Sequence, residues 1–141
     1  MAKFIANDVK VVVNGVTLSD HAFSVDTPSE KEQIDVSGFN PSNTKEFLPG
    51  QKEESVTIQF LQDFAASSVH ATLEPLYRNG TQFVLTLTPD SDTAVSATNP
   101  TLSGSVVLQS YNGLSAELGQ RAEITATFTP STSTGLVWGT V

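Results

Sequence analysis

The sequence predicts a mainly β protein, an antiparallel sandwich or barrel with one short flanking α-helix. Three observations predict it. Residues 55–60 and 82–88 alternate polar and apolar side chains at period two, as strands with one buried face do. Between them Val69, Leu73, Leu76 and Tyr77 recur at helical spacing. Turn signals and breakers, among them Asn14-Gly15 and Asn79-Gly80, separate further short apolar stretches on both sides.

Taken in order, residues 9–13 and 16–18 form a β-hairpin around Asn14-Gly15, a pair that suits the type I′ turn matching strand twist. Residues 22–26 and 33–39 read as short strands. Residues 40–53 contain Pro41, Pro49 and Gly50 and are expected to be one long loop, too rich in breakers for a simple turn. The strand over 55–60 follows. Ser67 or Ser68 is positioned to cap the helix start, and Gly80 to end it in a left-handed conformation. Pro75 falls inside the helical pattern, so the helix is expected to be short, kinked or loosened in its last turn. The strand over 82–88 leads into a small polar connection, 89–100. Strands over 102–111 and 121–129 come next, joined by 112–119, which is too long for a tight hairpin. In the last strand Ala122, Ile124, Ala126 and Phe128 share one face, opposite Arg121, Glu123, Thr125 and Thr127. Residues 1–130 therefore read as a single β domain, and 131–141 as an uncharged C-terminal tail carrying the only tryptophan, Trp138.

Composition narrows the function. A chain of 141 residues suits one domain with an independent core. At 38% hydrophobic and 16% charged it is polar without being charged, which is not the usual composition of disorder. The net charge is −8, and the seven lysines and arginines are scattered, so no basic stripe is available to grip phosphates. With no cysteine there is no disulfide and no thiolate metal site. The first eight residues lack the apolar core of a signal peptide, and no apolar run approaches the ~18 residues of a membrane span. A soluble protein made in a cytoplasm is expected.

No chemistry is expected either. Asp20 and His21 diverge if they lie on a strand, and His70 with Glu74 four residues on is an ordinary helix pair. Glu53-Glu54 are sequence neighbours that do not converge across a cleft as hydrolytic carboxylates must. Asp90-Ser91-Asp92 resembles the start of a calcium loop but lacks its later glycine and glutamate. No cofactor, metal or catalytic residue is assigned, and the protein is expected not to be an enzyme.

Two features point to an assembly subunit. The strand faces over 55–60 and 82–88 carry Ser, Thr and Gln with almost no lysine, so the sheet edges lack the usual guards against pairing. Phe39, Phe47 and Leu48 lie in or beside the long loop, where exposed apolar side chains suggest docking.

The ordered set of motifs along the chain resembles the major tail protein, or tail-tube protein, of long-tailed bacteriophages. The residues that carry the likeness are Val13-Asn14-Gly15-Val16-Thr17-Leu18-Ser19-Asp20-His21, Glu46-Phe47-Leu48-Pro49-Gly50 and Asp63-Phe64-Ala65-Ala66-Ser67-Ser68-Val69. Ala71-Thr72-Leu73 with Pro75-Leu76, then Gly80-Thr81, Phe83, Ala97-Thr98-Asn99-Pro100 and Gly104, continue it. Lys45, Gln51 and the residues from Pro130 onward depart from the family pattern. The resemblance implies a tail-tube-like β fold whose copies close hexameric rings that stack into a hollow tube, a conduit for DNA during ejection. It implies ring-to-ring contacts in 28–53, so Phe39, Lys45, Phe47, Leu48 and Pro49, with Trp138, are the candidate inter-subunit residues. It further implies that Ser55, Thr57, Gln59, Thr86, Thr125 and Thr127 face the lumen. The implied partners are other copies of the chain, the tape-measure, tail-tip and tail-terminator proteins, and DNA in transient non-specific passage, with no membrane binding. The implied location is the virion tail of a siphophage, assembled in the host bacterial cytoplasm. The alternatives are a capsid decoration or head–tail connector protein, and a β-sandwich binding module, which calls for a platform of exposed aromatics.

Overall fold

The computed structural model describes residues 4–140. The first hairpin forms as its turn chemistry dictates. β1 (Lys10–Val13) pairs with β2 (Val16–Thr17), and both Asn14 (φ 50) and Gly15 (φ 82) take the positive φ that a type I′ turn requires. After a 3-10 turn over Ser19–His21, β3 (Ala22–Asp26) enters the main sheet. β4 (Ser29–Asp35) and β5 (Phe47–Glu54) then leave it as a separate two-stranded ribbon. The chain returns through β6 (Val56–Leu61), helix α1 (Val69–Asn79), β7 (Phe83–Thr88), β8 (Thr101–Tyr111), β9 (Glu123–Pro130) and β10 (Val137–Gly139).

The main sheet has the order β2-β1-β7-β8-β9-β6-β3, all antiparallel, with β10 added to β8 beside the end of β9. Its apolar face curls around one core. Val11, Val13, Val56, Ile58, Phe60, Phe83, Leu85, Val106, Ile124, Ala126 and Phe128 alternate inward from their strands. Phe83 and Phe128 meet edge to face at 5.8 Å between ring centroids. The helix lays Val69, Leu73 and Leu76 into the same core, packing chiefly on β8. The result is an open barrel whose two terminal strands, β2 and β3, have one unpaired edge each.

Several expectations need correction. Residues 40–53 are not a loop throughout, because Phe47–Glu54 is strand β5, paired with β4. The earlier strand lies at Ser29–Asp35 rather than over 33–39, and the true turn is 36–46. Pro49 does not break β5, since an edge position in a two-stranded ribbon tolerates a missing N–H. The C-terminal tail does not stand apart from the domain read over 1–130, because Val137–Gly139 joins its sheet. Leu136 is buried and β10 extends the sheet, with Trp138 opposite Leu102. Helix α1 runs through Pro75 for eleven residues and ends on Gly80 (φ 63) as expected. Ser68 holds the N-cap position without capping by its side chain.

Gly104 marks the tightest crossing. A Cβ built there would lie 2.5 Å from the Gly135 carbonyl oxygen and 3.1 Å from Leu136 Cδ2, so β8 and the turn before β10 touch backbone to backbone. Gly104→Val is expected to destabilise by about 1–3 kcal/mol, the usual cost of overpacking. In thermal denaturation the midpoint should drop by several degrees; an unchanged midpoint would show that β10 is dispensable.

Candidate assembly surfaces

The ribbon is the least self-sufficient part of the molecule. Every residue of β4 is exposed, and β5 is exposed except at Gly50 and Glu54. Ile34 and Leu48 are directly opposite each other, leaving an apolar pair in solvent. Phe47 pairs with Asp35 on the other face, and Phe39 projects fully exposed from the tip. Two cross-strand pairs join like charges, Glu30 with Glu53 and Lys31 with Lys52, an arrangement that weakens a ladder. An isolated two-stranded ribbon is marginal in water even without that handicap. Its root is better anchored. The Ser55 amide donates to the Pro28 carbonyl at 3.2 Å. The Glu54 carboxylate, paired with Lys52 at 3.2 Å, accepts from the Leu136 amide at 3.0 Å. The ribbon is thus an exposed blade on a firm root, charged along its base and apolar toward its tip at Ile34, Phe39, Phe47 and Leu48.

Of the residues assigned to subunit contacts from sequence, Phe39, Lys45, Phe47, Leu48 and Pro49 all lie on this ribbon and are all exposed. Trp138 is elsewhere. It lies half-exposed on β10 at the lip of a groove of about 560 Å³ between β1 and β3, lined also by Val9, Val11, Phe23, Val25 and Leu102.

The second surface is the outer face of the sheet. Thr57 is opposite Thr127 and Gln59 opposite Thr125, and Ser24 and Asp26 of β3 flank the same row. Thr86 belongs to this face too, between Val12 and Ser103. Ser55 precedes β6 at the ribbon root. Across β3, β6 and β9 the central row is Ser, Thr and Gln, with Asp26, Glu123 and the Arg121 that pairs with Glu123 at its margins. The centre of the face is neutral and polar, while on its β1–β7 side it carries Lys10, Val12 and the exposed Val84.

Two clusters escaped the sequence reading. His21 and Ser68 both converge on Asp63, with His21 Nε2 and Ser68 Oγ at 2.9 Å and 2.8 Å from the same carboxylate oxygen. The residue types are those of a nucleophilic triad, but the geometry is not. The hydroxyl donates to the carboxylate, and the imidazole presents one nitrogen to both partners, so no base is aimed at Ser68. The cluster is a clamp joining the 3-10 turn to the start of α1. The Ala65 amide, the Ser68 hydroxyl and His21 hold the Asp63 carboxyl below its ordinary 3.8. A lowered folded pKa contributes stability above the ordinary value and loses it as pH falls through the folded value. Asp63→Asn is therefore expected to lower the melting midpoint near neutral pH and to flatten its decline below about pH 4. A variant that keeps the native acid limb would place that limb's origin elsewhere.

Around α1, His70 does not pair with Glu74 as its spacing suggested. Its Nδ1 lies 2.8 Å from the Tyr111 hydroxyl, while Glu74 holds Arg78. Gln62 also donates to Tyr111, at 3.0 Å, and to the Gly113 carbonyl, tying the end of β6 to the loop after β8. Asp8, Asp90 and Asp92 gather near the N-terminal segment, with Asn99 buried behind them holding the loop through Asp90 and Thr93. Asp8, by hydrogen bond and by charge, raises the Asp92 carboxyl above its ordinary value. This is an exposed acidic cluster. Among the described residues no helix is long and apolar enough to cross a membrane.

No protein-family model matches this sequence, and no curated protein does. Solved structures do. A chain of the native gene transfer agent virion superposes with a TM-score of 0.76 at 11% identity, over 96% of this chain and 98% of that one. The same fold is found in a solved tail tube. The SPP1 tail tube matches at a TM-score of 0.74 and 14% identity, over 99% of this chain and 80% of that one. The tail of the empty gene transfer agent particle, determined with C6 symmetry, matches at 0.70 and 12%, over 92% of each. The tail-tube fold thus spans nearly the whole chain, ribbon included, at identities too low to carry residue roles across.

Proposed function

We propose that this protein is the tail-tube subunit of a long-tailed phage or phage-like particle, a non-enzymatic structural protein that polymerises into a hollow tube. The observation that carries the reading is the ribbon, an exposed, like-charge-strained blade with an apolar tip on a firm root, within a chain of tail-tube fold. Such a blade is favourable only when another molecule covers it. Six copies close a ring through the free edges of β2 and β3, which satisfies their unpaired backbone groups. Rings stack through the ribbon, using Phe39, Lys45, Phe47, Leu48 and Pro49. The neutral polar face, with Thr57, Gln59, Thr86, Thr125 and Thr127, lines the bore.

The bore serves as a passive conduit. DNA must slide without sticking, and a wall with few cations, Lys10 on β1 and an Arg121 already paired with Glu123, offers its phosphates little counter-charge. The net charge of −8 adds mild repulsion over about a Debye length of ~10 Å. Tape-measure, tip and terminator proteins set the length and ends, and the assembled protein resides in the virion tail after assembly in the bacterial host. The test is negative-stain electron microscopy of the purified protein over a range of concentrations, with and without tail tips as nuclei. Rings or hollow tubes are the expected result; monomers throughout would refute the reading.

A further inference from the structure

Three Asn-Gly dipeptides lie along the chain, at Asn14, Asn79 and Asn112. Asparagine is a thermolabile residue, and a following glycine makes it more so. Glycine has no Cβ to screen its own amide nitrogen, which can therefore reach the carboxamide carbon of the preceding asparagine. The fold sets two conditions for that attack. The glycine N–H must have no acceptor, so that it can lose its proton, and the peptide unit joining the two residues must be free to rotate.

At Asn14-Gly15 the backbone is pinned. The dipeptide is the tip of the β1–β2 hairpin, with Val13 paired to Val16 around it, and the Asn14 amide donates to the Val84 carbonyl at 3.0 Å. At Asn79-Gly80 the nucleophile is occupied, because the Gly80 amide closes helix α1 on the Leu76 and Tyr77 carbonyls. Asn112-Gly113 differs on both counts. It follows Tyr111, the last residue of β8, and lies in no helix or strand. Among the described residues the Gly113 amide has no backbone acceptor. Gln62 holds the Gly113 carbonyl, but that carbonyl belongs to the next peptide unit, so the unit joining Asn112 to Gly113 can still rotate.

The Asn112 side chain is also positioned and activated. Its Oδ1 accepts from the Thr125 amide at 2.7 Å, one step beyond the Tyr111–Ala126 pair that ends the β8–β9 ladder. That bond draws charge from the carboxamide carbon and meets the oxyanion that forms when the carbon is attacked. Asn112 is exposed, so water reaches the group.

We infer that Asn112-Gly113 is a self-modification site, at which the folded chain converts Asn112 to aspartate and isoaspartate with water as the only reagent. Hydroxide removes the Gly113 amide proton. The nitrogen then attacks Asn112 Cγ, forming a new C–N bond while the carbonyl electron pair moves onto Oδ1 beside the Thr125 amide. The pair returns, the Cγ–Nδ2 bond breaks, and Nδ2 leaves as ammonia with a proton taken from water. A water molecule finally opens the five-membered imide at either carbonyl, giving aspartate or, with the main chain rerouted through the former side chain, isoaspartate. Either product adds one negative charge to a chain that carries −8. Isoaspartate also lengthens the main chain by one carbon and withdraws the acceptor from Thr125, which loosens the end of the β8–β9 pairing. The chemistry needs no second copy and holds whether or not the chain forms tubes.

The test follows all three sites in the unmodified protein by peptide mapping and mass spectrometry at mildly alkaline pH, once folded and once unfolded in urea. In the folded protein Asn112 is expected to convert at least about tenfold faster than Asn14 or Asn79. Its rate should rise with hydroxide concentration, and both acidic products should appear. In urea, where no fold distinguishes them, the three sites should convert at similar rates. Folded protein in which Asn14 or Asn79 converts as fast as Asn112 would overturn the inference. So would an Asn112 that stays intact in the folded chain while all three react in urea. A ranking in urea equal to the folded one would trace the preference to neighbouring sequence and overturn the structural reason for it.

Discussion

Replacing Ile34 and Leu48 together by aspartate is expected to abolish tube formation and leave the barrel folded. The two side chains are cross-strand partners on the ribbon and contribute nothing to the core, which is built from β1, β6 to β9 and α1. Their loss should therefore leave the melting curve of the barrel nearly unchanged. In a tube they sit where an apolar surface must be covered, and two carboxylates buried there without partners cost several kcal/mol. Facing each other, they also weaken the ladder of the free ribbon by up to about 1 kcal/mol, adding to the existing Glu30–Glu53 and Lys31–Lys52 repulsions. The dissociation is the informative part. Tubes lost together with the fold would mean that the ribbon supports the barrel. Tubes retained would mean that it does not join rings.

A second large effect is expected from lysine at Thr57, Gln59 and Thr125, three neighbours on the neutral face. These side chains are only partly buried and point away from the core, so substitution should be tolerated and tubes should still form. Six-fold repetition would place eighteen cations around each ring of the proposed bore, by three substitutions in each of six subunits. Double-stranded DNA, which the native tube is expected to release, should then be retained, with affinity falling steeply as salt rises. The logarithmic slope is about −0.9 per phosphate contacted. Retention assays on assembled tubes between low and physiological salt would measure it. Lysine tubes that ignore DNA at all salt concentrations would move this face to the outside.

Much of the fold was legible because period-two alternation survives wherever one face of a sheet is buried. β6 and β9 show it cleanly, with Val56, Ile58 and Phe60 inward and Ile124, Ala126 and Phe128 inward opposite them. Asn14-Gly15 and Gly80 were equally readable, since each meets a positive φ that few residues accept. The ribbon was misread for the converse reason. With both faces exposed it has no buried side to impose a pattern, and Pro49-Gly50 reads as a breaker when it lies on an edge. β10 was missed because three residues after a Ser/Thr-rich turn carry no period at all, and only the close approach of Gly104 to Gly135 admits them to the sheet.

The candidate residues divide in the same way. Phe39, Phe47 and Leu48 were legible as apolar side chains among breakers, and they are exposed. The convergence of His21, Asp63 and Ser68, separated by up to 47 residues, had no local signal; neither had the His70–Tyr111 bond that replaced the expected pair with Glu74. Such contacts depend on which loops the strand order brings to one end of the barrel.

By itself the sequence determined the local conformations, because alternation, helical spacing and turn chemistry act between residues a few positions apart. It also determined the absence of thiols and the shortage of cations, which no fold can alter. Only the tertiary structure decided that the apolar residues near Phe39 stand on a ribbon and that Thr57, Gln59, Thr125 and Thr127 share one face. Those are long-range facts, set by strand register and sheet closure, and register is fixed by which side chains the common core can bury.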